Sequence, residues 1–75
     1  MNLAESQAAE VELENLVDKV GVDNVLSCLS TVCMIKAGHL ASEWQDLKAG
    51  SQWEAASKVI ERLSGMAVVK NISFR

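Results

Sequence analysis

Apolar side chains recur at Ala9, Leu13, Leu16 and Val20, a three-to-four spacing that lays one stripe along a helix, while the carboxylates fall on its other side. Asn2, with Glu5 three residues later, has the form of a helix-starting cap. Gly21 follows Val20 as a natural C-terminal stop, and Asp23 is placed to cap whatever comes next. The pattern therefore predicts a first helix over about residues 2–20.

From Val22 a second stripe runs through Leu26, Leu29, Cys33, Ala37, Leu40, Trp44 and Leu47, the signature of a long amphipathic helix over about residues 22–48. Gly38 inside it predicts either a bend or a close backbone approach. Next comes an Ala49-Gly50-Ser51 break, and Ser51-Gln52-Trp53-Glu54 has the form of a capping box. A third helix over about 52–64 would bury Trp53, Ala56, Ile60 and Leu63 and expose an i to i+4 pair, Glu54 with Lys58. Gly65 ends it. The tail 65–75 is open between a helix and an extended segment with Met66, Val68, Ile72 and Phe74 alternating on one side.

Folding these elements into hairpins predicts their register. A turn near Gly50 sets Trp44 opposite Trp53, Leu40 near Ala56 and Ser57, Ala37 opposite Ile60 and Cys33 opposite Leu63. A turn at Gly21 sets Leu16 opposite Leu26 and Leu13 opposite Leu29. The expected fold is all-α: a three-helix antiparallel arrangement of two hairpins about a long central helix, forming a single small domain over 1–75.

At 75 residues, such a domain buries only roughly 60% of its unfolded surface and is marginal unless something supplements the core. The net charge of -3 argues against nucleic acid as the partner. The charge is uneven. Residues 1–23 carry six carboxylates against Lys19, whereas residues 47–75 carry five cations against Glu54 and Glu61. Met1 is followed by an acidic, polar stretch, not a secretory signal. The apolar run from Val25 to Ile35 is shorter than the roughly 20 residues of a membrane span. A cytoplasmic protein without a membrane anchor is expected, with Cys28 and Cys33 reduced.

Candidate chemistry is sparse. Cys28 and Cys33 are five residues apart, so on a helix they point to different sides and neither share a metal nor close a disulfide; they read as small buried hydrophobes. His39 is the single histidine, one turn from Glu43, with no oriented nucleophile beside it. Trp44 and Trp53, at helical spacing on facing stripes, read as core before they read as an aromatic shelf for a ligand. No catalytic residue, cofactor or metal is expected, and the chain is not expected to be an enzyme. His39, Glu43, Gln45 and Asp46 form a candidate partner surface.

The segment Lys36-Ala37-Gly38-His39-Leu40 through Trp44-Gln45-Asp46 to Trp53 resembles a group of short bacterial and phage helical proteins of no assigned function that share a Trp-Gln-Asp and second-Trp pattern. The resemblance covers roughly residues 22–63. It implies a small helical protein and supplies no catalytic residues.

The stretch from Val25 to Ile35 is interrupted only by Ser27, Ser30 and Thr31, and a helix apolar on all sides must be covered on all sides. Two short helices leave it partly bare. Val25, Ser27, Cys28, Thr31, Met34, Ile35, Gly38 and Ala41 are thus the expected interface of a homodimer. The expected function is that of a non-enzymatic, cytosolic interaction or regulatory protein acting as a homodimer on a further protein partner. The alternative is a small DNA-associated regulator with a basic C-terminal arm.

Overall fold

The computed structural model describes residues 1–72. They form α1 (Leu3–Val20), α2 (Val22–Ser42), α3 (Leu47–Gly65) and a short α4 (Ala67–Lys70), with no strand among the described residues. The long helix α2 is central. Helix α3 packs against it along their length, α1 touches it only sparsely, and α4 folds back onto both α3 and α2.

The start of α1 is set locally. Asn2 Oδ1 accepts the Glu5 amide at 2.8 Å, and Asn2 Nδ2 donates to the Glu5 carboxylate at 2.9 Å, satisfying an amide that the first turn leaves orphaned. At the other end Gly21 takes φ 89° and its amide donates to the Val17 carbonyl at 2.8 Å. A side chain there would be strained. Asp23 does not cap α2: Gly21 occupies that position, and Asp23 lies in the first turn.

The central break lies earlier than the sequence pattern suggests. Helix α2 ends at Ser42, residues 43–46 make the connection, and α3 begins at Leu47. Ser42 Oγ donates to the Gly38 carbonyl at 2.7 Å. Gln45 then adopts a left-handed φ of 53°, which carries the Asp46 amide back to the Leu40 carbonyl at 2.8 Å and closes the helix end. Asp46 caps α3, its Oδ1 accepting the Ala49 amide at 3.0 Å. Ser51, expected as that cap, is an exposed residue inside α3.

Gly50 is not a break because its missing side chain serves packing. A Cβ on Gly50 would lie 3.1 Å from the Ala37 carbonyl oxygen and 3.4 Å from the Ala41 Cβ. Of the bend or close approach expected at Gly38, the close approach occurs at Gly50 instead, while a Cβ on Gly38 would meet nothing within 4 Å. The register shifts accordingly: Ala37 faces Gly50, not Ile60, and Ser30 faces Ser57.

The α2–α3 seam is built from small residues. Ser30, Cys33 and Ala37 of α2 meet Gly50 and Ser57 of α3, and these are the buried side-chain positions of the two helices. Gly50 and Ser57 are one heptad apart, so α3 is rotated from the expected Trp53–Ala56–Ile60–Leu63 face. Ser57, 2% exposed, donates to the Ser30 carbonyl at 2.8 Å, and Ser30 Oγ donates to the Ser57 carbonyl at 2.9 Å. Both hydroxyls are thereby satisfied away from water.

Large apolar side chains lie outside this seam. Leu13, Leu16, Val20, Leu29, Val32, Met34, Ile35 and Leu63 are all substantially exposed. Beyond α3, Met66 is extended and its amide donates to the Leu63 carbonyl at 3.2 Å. The chain then makes the helical turn α4 in place of the extended segment. Phe74, counted in that extended pattern, lies outside the described residues.

Candidate functional site

The connection between α2 and α3 is short and tied at both ends. Glu43 and Trp44 amides both point to the His39 carbonyl, at 2.9 and 3.4 Å, the Asp46 amide reaches Leu40, and the Gly50 amide reaches the Asp46 carbonyl at 3.0 Å. Trp44 rides on this turn with 74% of its surface exposed. Trp53, one and a half turns into α3, is 39% exposed. Neither indole is core, contrary to the expectation from their helical spacing. Helix α2 stops before Trp44 enters its stripe, and the rotation of α3 moves Trp53 to the edge of the seam.

The two indoles instead line one open groove with Lys36, His39, Leu40 and Glu43, a cavity of about 260 Å³. Helix α2 supplies Lys36, His39 and Leu40 from its last turns, the connection supplies Glu43 and Trp44, and α3 supplies Trp53. Two flat aromatic faces beside a cation, an imidazole and a carboxylate suit recognition of a mixed polar and apolar surface. Among the described residues that line the groove there is no serine or cysteine for His39 to activate.

Of the expected partner surface, His39 and Glu43 are brought together here, while Gln45 and Asp46 build the turn itself. Asp46 spends one carboxylate oxygen on the α3 cap. Lys36, Trp44 and Trp53 complete the groove; the tryptophans are visible in sequence as a possible shelf, and Lys36 enters the sequence reading only as part of the resembling segment.

The eight expected dimer-interface residues do not share one face. Val25 and Cys28 line a wedge between α1 and α2. Ser27, Thr31 and Met34 line a groove beside Lys58 and Glu61 of α3, and Met34 also borders Gly38 and Ala41 next to the start of α3. Ile35 is exposed. Cys28 is exposed and Cys33 buried, both as free thiols. Among the described residues no group of His, Cys, Asp and Glu side chains is arranged to hold a metal ion.

Helix α2 has 21 residues and contains an 18-residue window of mean hydropathy 1.3, long and apolar enough by length and composition to cross a membrane. Comparison with known protein families, curated proteins and solved structures gives no match to this chain.

Proposed function

We propose that the chain is a non-enzymatic, cytosolic helical interaction protein that works as a homodimer and contacts a further protein through the tryptophan turn. The observation that carries this reading is the exposure of Trp44 on a turn that backbone hydrogen bonds and the Asp46 cap hold in place. An exposed tryptophan on a pre-ordered segment loses little conformational freedom when a partner covers it, and such residues dominate interface energetics.

A water-facing location is supported by α3. It lies along α2 and carries Glu54, Lys58, Glu61 and Arg62, so a bilayer around α2 would have to accept these charges as well. The DNA-associated alternative draws less support, because Lys58 is already paired with Glu54 at 3.3 Å. That pair leaves fewer free cations for phosphates.

Affinity recovery from native lysate, comparing the unaltered chain with Trp44→Ala and with Gln7→Ala on the far helix, tests the turn. A protein retained by the unaltered chain and by Gln7→Ala, and lost with Trp44→Ala, is the expected result. Equal recovery by all three overturns the assignment, and salt-sensitive retention of DNA would favour the regulator.

A further inference from the structure

The chain exposes 5880 Å², whereas a compact monomer of 8.1 kDa exposes about 4,500 Å². The surplus is about 1,400 Å². Its radius of gyration, 14.4 Å, is likewise above the roughly 11 Å of a compact chain this long. Obligate homodimers bury roughly 2,000 Å² or more in total, about 1,000 Å² from each copy, so the surplus is of the size that one protomer contributes to such an interface.

Part of that surface lies in one apolar wedge. Helix α1 diverges from α2 after Gly21, leaving a wedge of about 230 Å³ walled by Leu13, Leu16 and Val20 on one side and Val25, Leu29 and Val32 on the other. The remaining wall residue is Cys28. The grooves on the other flanks of α2 include Ser27, Thr31, Lys58, Glu61, Ser51 and Glu54, groups that water satisfies. Among the described residues that line the wedge there is no such group, so water in it gains nothing in return.

Resting on the homodimer reading, we propose that the wedge is the two-fold seam: the wedges of two copies face each other, and α1 and α2 of each close a four-helix core. Helix α3 stays outside, on the flank of α2 that carries Ser30, Cys33 and Ala37. A small apolar ligand would cover only the wedge walls and leave most of the surplus exposed. A second copy removes it, because an isologous contact presents the same six side chains from both sides.

Three positions with matched exposure give the test: Leu16 at 47%, Val32 at 48% and Met34 at 47%. In the free chain a charge at any of them is about equally tolerable, so unequal effects report the partner. Light scattering at tens of micromolar, with helicity followed by circular dichroism, is expected to find a dimer for the unaltered chain and for Met34→Glu, and helical monomers for Leu16→Glu and Val32→Glu. If Met34→Glu alone splits the dimer, the wedge is overturned and the homodimer survives. A monomeric unaltered chain overturns both, as does a monomer that sediments with phosphatidylcholine or phosphatidylglycerol vesicles.

Should the glutamate variants unfold, alkylation of the unaltered chain decides. Cys28 is exposed and Cys33 is buried in the free chain. The rate of Cys28 labelling is expected to fall roughly tenfold as protein concentration rises a hundredfold above the dimerisation constant, with Cys33 protected throughout. A dimer in which Cys28 labels at an unchanged rate overturns the wedge.

Discussion

Ser30 and Ser57 each donate a hydroxyl hydrogen bond to the other's main-chain carbonyl across the α2–α3 seam, at 2.9 and 2.8 Å, with the two hydroxyl oxygens themselves 2.9 Å apart. The pair pins the axial register of the two helices. Each carbonyl gains a second donor, so loss of one hydroxyl removes a bond without stranding a buried acceptor. Ser57→Ala is therefore expected to cost about 1–2 kcal/mol. Ser30→Ala with Ser57→Ala is expected to cost less than the sum, since the two share one constellation. Urea unfolding followed by circular dichroism measures the cycle, and strict additivity would show that the hydroxyls act independently.

The parts of this fold legible in sequence are those set by neighbours along the chain. The Asn2–Glu5 cap, the Gly21 stop and the Glu54–Lys58 pair each involve residues within four positions of one another, and each is found. The sequence pattern places the α2–α3 turn too late because a glycine reads alike whether it ends a helix or lets one approach another. Ser51 with Glu54 makes a complete capping box, whereas Asp46 with Ala49 makes only half of one, so local chemistry favoured the wrong position. The seam escapes the sequence pattern for a related reason. Apolar periodicity assigns the largest side chains to the interior, yet here Cys33, Ala37, Gly50 and Ser57 fill it and the tryptophans stand outside. That inversion also hid the groove, whose members come from two helices and the turn between them.

The turn itself depends on Asp46 and Gln45. Asp46→Ala removes the oxygen that accepts the Ala49 amide and is expected to cost about 1 kcal/mol, while Ser51→Ala, on an exposed helical position, should fall within about 0.5 kcal/mol of the unaltered chain. Gln45→Gly is expected to stabilise by up to about 1 kcal/mol, because glycine holds a φ of 53° without a Cβ penalty. Thermal unfolding of the three variants tests this together; a Ser51→Ala loss as large as that of Asp46→Ala would return the cap to Ser51.

Exposure of the indoles has a direct optical consequence. Emission from the native chain is expected close to that of indole in water, with most of it quenched by iodide. Trp44→Ala should change stability by no more than about 0.5 kcal/mol, because little packing is lost. The same substitution is expected to weaken partner binding by about 2 kcal/mol or more where Trp44 anchors the contact. A blue-shifted emission in the purified chain, free of partner, would place the indoles in a core.

Gly50 and Gly38 are both interior helical glycines, and intrinsic propensity favours alanine at each by about 1 kcal/mol. Their surroundings separate them. At Gly50 the new methyl would meet the Ala37 carbonyl oxygen at 3.1 Å, a backbone atom of the opposing helix that yields only if α2 and α3 move apart. Overpacking of this kind costs about 1–3 kcal/mol, so Gly50→Ala is expected to be destabilising by about 1 kcal/mol net, and to loosen the Ser30–Ser57 bonds with it. At Gly38 the methyl enters open space, and Gly38→Ala is expected to stabilise by nearly the full propensity difference. Paired denaturation curves of the two variants give the sign of each. Stabilisation by Gly50→Ala would mean that the helices are not in close contact there, and destabilisation by Gly38→Ala would mean that another helix is seated against Gly38 in solution.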